Sequence, residues 1–370
     1  MAQAIKKLGF GLMRLPMIDG DVDLEQTIQM VDLFLSKGFT YFDTAYGYLG
    51  GQSEAAAKAA LVDRYPRDRF QLATKLPAWA GVKTAAEAEN MFWTSLERTG
   101  AGYFDYYLLH NCGGERTKCF DDFGVWGFLA EQKRKGLIRQ LGFSFHDKAD
   151  ALEKLLCAHP EMDFVQLQIN YADWESDSVQ SRKCYEVARA HQKPVVVMEP
   201  VKGGSLAGLP EQVAAPMKAF APDASLSSWG VRFAASLEGI VTVLSGMSSL
   251  EQMRDNVSYM EDFQPLSGEE RAVLDEVAKR LKAVKRIPCT DCRYCAEGCP
   301  KGIRIAPIFA AMNTLKVYHH LEGARHSYEW ETRDGGRASE CIACGQCEAA
   351  CPQHIAIIEE LRQAAAALEG

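Results

Sequence analysis

No stretch of this sequence approaches the roughly 18 consecutive apolar residues that a membrane-spanning helix needs. The opening segment, MAQAIKKLGFGLMRLP, lacks the apolar core of a secretory signal, which argues against export. There is no low-complexity tract and no long basic stripe, and the net charge is −8, which argues against nucleic acid as a partner. Together these absences predict a cytoplasmic protein without a membrane partner. Its 370 residues suit one large domain accompanied by a small one.

What the sequence does have is cysteine, 12 in all, and eight of them fall in two stretches. CTDCRYCAEGCP begins at Cys289, and CIACGQCEAACP begins at Cys341. Both have the spacing C-x2-C-x2-C-x3-C-P. Structural zinc usually takes two ligands from one knuckle and two from a distant one. Three close cysteines followed by a fourth before proline is instead the run of two-cluster ferredoxins, where the fourth cysteine ligates the other cluster. On that pattern Cys289, Cys292, Cys295 and Cys351 hold one [4Fe–4S] cluster, and Cys341, Cys344, Cys347 and Cys299 hold the second. Zinc and a disulfide framework are the alternatives. Cys112, Cys119, Cys157 and Cys184 stand alone and read as plain thiols.

Upstream, from about residue 5 to 260, short β-rich runs alternate with amphipathic helical stretches. The runs are KLGFGLMRL, YFD at 41–43, FQLATK at 70–75, YFDYYLLH at 103–110, IRQLGFS at 138–144, FVQLQIN at 164–170, PVVVME at 194–199 and GIVTVLS at 239–245. DLEQTIQMVDLFLSKG shows the three- and four-residue apolar spacing of a helix, with Gly38 as its stop. Eight β/α pairs in this length predict a TIM (β/α)8 barrel, although a doubly wound open sheet reads similarly. The expected domains are a barrel over 1–265, a helical linker over 266–286 and a small, mainly helical ferredoxin-like domain over 287–370. Ser267 and Glu270 have capping-box spacing at the start of the linker helix. PIFAAMNTLKVYHHL, between the cysteine motifs, and the last stretch, IAIIEELRQAAAALEG, both read as helix.

Four polar residues fall at or just after the C-terminal ends of consecutive strands: Asp43, Tyr48, Lys75 and His110. In a barrel those ends converge on one mouth. Reducing a carbonyl needs a proton donor to its oxygen, and tyrosine, with a pKa near 10, is a reluctant one. A neighbouring lysine favours the phenolate, an aspartate keeps that lysine charged, and a histidine N–H orients the substrate oxygen. Trp79, Trp174 and Phe145, expected on loops after strands, could line an apolar substrate pocket.

At these residues the chain resembles the aldo-keto reductases, and its cysteine tail resembles the bacterial branch that carries a ferredoxin-type domain. The resemblance implies a TIM barrel, a small carbonyl substrate, NAD(P)H as hydride donor and Tyr48 as general acid/base. It also implies cofactor contacts from Ser144 and Gln166 at the nicotinamide carboxamide. Met198 stands where the family stacks an aromatic ring on nicotinamide, and Phe145 where it has an asparagine. Gly203 and Gly204 in VKGGSL offer amides to a pyrophosphate, while SGMSSLEQMRDN opens a helix whose N-terminus can hold another phosphate, with Ser248 and Glu251 at capping-box spacing and Gln252 and Asn256 on one face. Gln252 occupies a position where NADPH-dependent relatives carry arginine.

One-electron clusters and a two-electron hydride donor do not match directly, and a flavin in the nicotinamide place is the alternative cofactor. The expected activity is an oxidoreductase whose clusters carry electrons between an external donor, such as a ferredoxin or flavodoxin, and the mouth. The alternative is a non-catalytic redox-sensing or electron-transfer subunit with a nucleotide-binding barrel.

Overall fold

The computed structural model describes residues 6–370. Chain contacts divide it into two compact units, one of residues up to Pro200 with Ser228–Ser267, the other of Val201–Ser227 with Gly268–Gly370. The chain therefore passes between units three times, after Pro200, Ser227 and Ser267.

The first unit is a closed barrel of eight strands. These are β1 (Leu8–Gly11), β2 (Tyr41–Asp43), β3 (Gln71–Leu76), β4 (Phe104–Cys112), β5 (Ile138–Phe145), β6 (Phe164–Gln168), β7 (Val195–Met198) and β8 (Ile240–Ser245). Each pairs in parallel with its sequence neighbours, and β1 closes on β8. All eight expected runs are barrel strands. β6 stops short of Ile169 and Asn170 because the Asn170 side chain turns the backbone, its Oδ1 accepting the Asp173 N–H at 2.9 Å. β4 runs two residues past His110, with its register against β5 shifting between Leu109 and Cys112. Asn111 takes φ +60° in that bulge, an irregularity of the kind that re-aims side chains next to active sites.

Inside the barrel Tyr41, Ala73, Leu108, Phe164, Val196 and Leu244 pack as one buried cluster. Gly142 of β5 lies so close to the Phe164 carbonyl and ring that a methyl group there would collide with both. The helix after β1, Leu24–Ser36, starts where the Asp23 side chain accepts the Gln26 N–H at 3.0 Å, and the chain turns away at Gly38, φ +78°.

The second unit is helical: Glu211–Phe220, Gly268–Ala283, the antiparallel pair Ile305–Tyr318 and Leu321–Thr332, and Ile357–Leu368. Ile303, Ile308, Phe309, Met312, Ala324, Tyr328 and Leu361 form its core, with cysteines of both motifs packed into it. Asn313 pins the start of the first motif, accepting the Ile287 N–H at 2.8 Å and donating to the Ile287 carbonyl at 3.0 Å. Among the described residues, no helix is long and apolar enough to cross a membrane.

Candidate functional site

Asp43 ends β2 and Lys75 lies one residue before the end of β3; both side chains are buried, Lys75 completely. The Lys75 ammonium donates to the Asp43 carboxylate and, at 2.8 Å, to the Thr44 carbonyl. It also stands 4.9 Å from the ring centre of Tyr48, which follows β2 in a short helical turn. His110 faces the same tyrosine edge-on, ring centres 5.6 Å apart. Tyr48 and His110 are half-buried, while the charged pair behind them is sealed.

Burial works against both charges of that pair, pushing the Asp43 carboxyl up and opposing the ammonium of Lys75. At Lys75 the attraction of Asp43 and Tyr48 outweighs burial and raises its pKa. The pair is ionic: the ammonium has two oxygen acceptors on one side and a π face on the other. Burial likewise lifts Tyr48, against the pull of Lys75 and with Asp43 and Glu199 adding to the rise. The net shift is upward, so burial overrides the lysine's expected preference for phenolate and Tyr48 rests as a protonated donor. His110 is pushed well below the usual imidazole value, by burial first and then by Lys75, His146 and Arg116. It is therefore a neutral ring at ordinary pH, and its Nδ1 is buried without a partner.

The loop carrying Tyr48 is braced by residues that sequence reading passed over. Glu54, fully buried, accepts from Thr74 Oγ1 at 2.7 Å, and Arg98 reaches both Glu54, at 3.4 Å, and the Tyr46 carbonyl, at 3.0 Å. Ser53 Oγ bridges Thr44 Oγ1 at 2.6 Å and the Leu12 carbonyl at 2.9 Å. The signal in the sequence was a lone charged residue inside the small-residue run QSEAAA.

Three of the expected nicotinamide contacts lie side by side on β5, β6 and β7. Ser144 is in register with Gln166, and Gln166 Nε2 points at Met198 Sδ, 3.5 Å away. Ser144 Oγ accepts the Asn111 N–H at 2.7 Å, which leaves its hydroxyl proton to donate. Gln166 Oε1 is buried with no partner. One donor and one acceptor side by side are what a carboxamide would need. Phe145 is the last residue of β5 and buried rather than on a loop, and Trp174 packs against Tyr185 and Phe233. Of the three aromatics expected to line a pocket, Trp79 alone reaches His110, its Nε1–H donating to the His110 carbonyl at 2.6 Å.

Ser249, not Ser248, caps the helix Leu250–Met260, accepting the Gln252 N–H at 3.2 Å. The cap thus falls one residue later than expected, and no reciprocal box closes there, because Gln252 Oε1 takes the N–H of Ser248, at 2.8 Å, and not that of Ser249. Asn256 donates to the Gln252 carbonyl at 3.0 Å and keeps a buried Oδ1 without a partner. Gly203 and Gly204 adopt φ +62° and +99° in a turn that belongs to the second unit. There the Gly204 amide is already spent on the Val201 carbonyl at 3.0 Å, and His320 covers the glycine while its Nδ1 lies 3.0 Å from Ser205 Oγ.

In the second unit the cysteines sort into two cavities. Cys289, Cys292, Cys295 and Cys351 line one, with Ile305, Phe309 and Ile355. Cys299, Cys341, Cys344 and Cys347 line the other, with Ile303, Ile342 and Leu361. All eight are free thiols. Burial pushes Cys295 up to about 11 and raises Cys347, so these thiols stay protonated unless a bound cation offsets their burial. Four sulfurs around an apolar hollow are a donor set suited to a soft metal or an iron–sulfur cluster.

Residues 7–279 match the aldo/keto reductase family, and residues 288–356 match the 4Fe-4S dicluster domain. The chain belongs to the aldo/keto reductase family and carries a C-terminal 4Fe-4S dicluster domain. An aldo-keto reductase of Mycolicibacterium vanbaalenii is 28% identical over 260 residues, 69% of this chain and 83% of that protein. The uncharacterized oxidoreductase YqkF of Bacillus subtilis is 24% identical over 68% of this chain and 86% of its own length. An aldo-keto reductase of Mycolicibacterium smegmatis reaches 32% identity over 33% of this chain, which spans only 41% of that relative. Among solved structures, aldo-keto reductase AKR11C1 from Bacillus halodurans aligns with a TM-score of 0.60 at 23% identity, over 74% of this chain and 95% of that one. An aldo-keto reductase from Klebsiella pneumoniae in complex with NADPH aligns at 0.57 and 22% identity, over 75% and 95%. At such identities these likenesses speak to the fold.

Proposed function

We propose that the chain is an oxidoreductase that interconverts a small carbonyl compound and its alcohol at the barrel mouth. Asp43, Tyr48, Lys75 and His110 are its catalytic group, and two [4Fe–4S] clusters carry electrons to or from it. Tyr48 gives its proton to the carbonyl oxygen. Lys75, held charged by Asp43, stabilises the phenolate that remains, and the neutral His110 ring orients the same oxygen through an N–H. Ser144, Gln166 and Met198 would hold a nicotinamide, with Ser248, Gln252 and Asn256 toward the adenine. Gly203 and Gly204 would serve a pyrophosphate only through amides outside the existing turn.

The first cluster falls to Cys289, Cys292, Cys295 and Cys351, the second to Cys341, Cys344, Cys347 and Cys299. When bound, a nicotinamide supplies hydride and the clusters supply single electrons at low potential. The electron source is NADPH or an external ferredoxin or flavodoxin; bleaching of the visible absorbance by NADPH under anaerobic conditions distinguishes them.

One observation carries this reading: a fully buried lysine, tied to Asp43, stands under the half-open ring of Tyr48 beside His110. Tyr48→Phe tests it. Turnover should vanish while iron content and visible absorbance stay as in the wild type; a Tyr48→Phe protein that turns over normally contradicts it.

A further inference from the structure

From Tyr48 a line of side chains leads away across the mouth. Tyr48 meets His110 edge-on at 5.6 Å, and His110 meets Trp79 at 6.1 Å. The guanidinium of Arg116 then lies over the Trp79 ring, 5.9 Å from its centre. Trp79 is locked to the His110 carbonyl by its own N–H, at 2.6 Å, so the shelf is rigid where it joins the reacting end.

Arg116 is placed by construction. It follows a turn at Gly113 and Gly114, φ +149° and +50°, and opens the helix Glu115–Asp122. A side chain at Gly113 would press on Asp147, and the Gly113 N–H is held by Thr117 Oγ1 at 2.8 Å. The nearby carboxylate of Asp147 is occupied by the amides of Gly114 and Lys148, at 2.9 and 2.8 Å. No described carboxylate forms an ion pair with Arg116, whereas Lys75 is tied to Asp43 and Arg98 to Glu54. A ligand with a negative group far from its carbonyl is thus attracted at the Arg116 end.

We propose that Arg116 is the carboxylate-recognising residue of the mouth, so that the substrate is a carbonyl compound carrying an acidic group beyond the Trp79 shelf. This rests on Tyr48 and His110 being the reacting end. An unpaired arginine matches a carboxylate through two parallel hydrogen bonds, and the indole face supports the apolar stretch between.

The test uses para-carboxybenzaldehyde and its methyl ester, binding to the cluster-loaded protein without reductant, followed by calorimetry. The acid should bind about 10-fold tighter than the ester, the magnitude of one charge-assisted contact. Arg116→Gln should bring the two within about twofold of each other, and Arg116→Lys should keep part of the preference. Equal binding of acid and ester by the wild type, no binding of the acid, or a preference that survives Arg116→Gln overturns the proposal. Turnover is read separately. A preference without turnover sinks the catalytic reading and leaves the subsite standing, while turnover without a preference sinks the subsite alone.

Discussion

Lys75 and Asp43 form an ion pair whose side chains are closed to solvent, and Tyr48 is its lid. Removing one partner of such a pair strands a buried charge. Lys75→Met should therefore destabilise the barrel by about 3–5 kcal/mol and lower turnover by at least ~100-fold. Asp43→Asn should cost a similar amount, because its neutral amide leaves the buried Lys75 ammonium without a counter-charge. Denaturant unfolding with steady-state rates reads both. Losses below about 1 kcal/mol in both variants would argue against the pair being ionic.

The pH dependence follows from the upward shift of Tyr48. A raised pKa keeps the proton donor loaded below it, so carbonyl reduction should stay level through neutral pH and decline only above about pH 10. Alcohol oxidation, which needs the deprotonated form, should rise toward alkaline pH. On the acid side His110, depressed by burial, stays neutral below its ordinary range. A descending arm for reduction centred at about pH 7 would mean that Lys75, not burial, governs the tyrosine.

The partition of the cysteines predicts which cluster each one serves. Cys351 belongs by sequence to the second motif but lines the cavity of the first. Cys351→Ser should perturb the cluster held by Cys289, Cys292 and Cys295, and Cys299→Ser should perturb the other. Iron analysis should fall from about eight toward about four per chain in either variant, with different electron spin resonance signals remaining. If Cys351→Ser and Cys347→Ser leave the same signal, the crossed assignment fails.

Gly142 has an ordinary strand conformation and no room. Replacing it with alanine drives a methyl group into the Phe164 backbone and ring inside the barrel. The expected loss is about 1–3 kcal/mol, the range for overpacking, with the cysteine unit's iron content unchanged. A thermal melt of the variant matching the wild type would show that β5 and β6 can separate locally.

Most of the barrel was legible because its strands are short β-rich runs bounded by helical periodicity. Asp43, Lys75 and His110 could be placed at one mouth because parallel strands share a direction. Other features depend on contacts distant in sequence. That Val201–Ser227 folds with the cysteine unit is decided by helix Glu211–Phe220 and by His320 over Gly204, which no local pattern announces. The helix cap expected at Ser248 falls on Ser249 because two adjacent serines offer the same chemistry and only the backbone chooses. Phe145 looked like a loop residue because the bulge opposite it, at Asn111, lets β5 run on to pair with Cys112. Arg116 carried no motif at all; its proposed role rests on Trp79 and on the lack of an acidic partner among the described residues.

We propose that the clusters exchange electrons with a substrate at Tyr48. Two one-electron clusters hold the two electrons that one carbonyl takes up, with two protons, on becoming an alcohol. The direct measurement is anaerobic: reduce the purified protein with dithionite, remove the excess, add a panel of aldehydes, and follow the visible absorbance. An aldehyde should restore the oxidised spectrum and yield its alcohol in the wild type, while Tyr48→Phe remains reduced. Clusters that stay reduced in the wild type, with an aldehyde that the same protein turns over using NADPH, would contradict it.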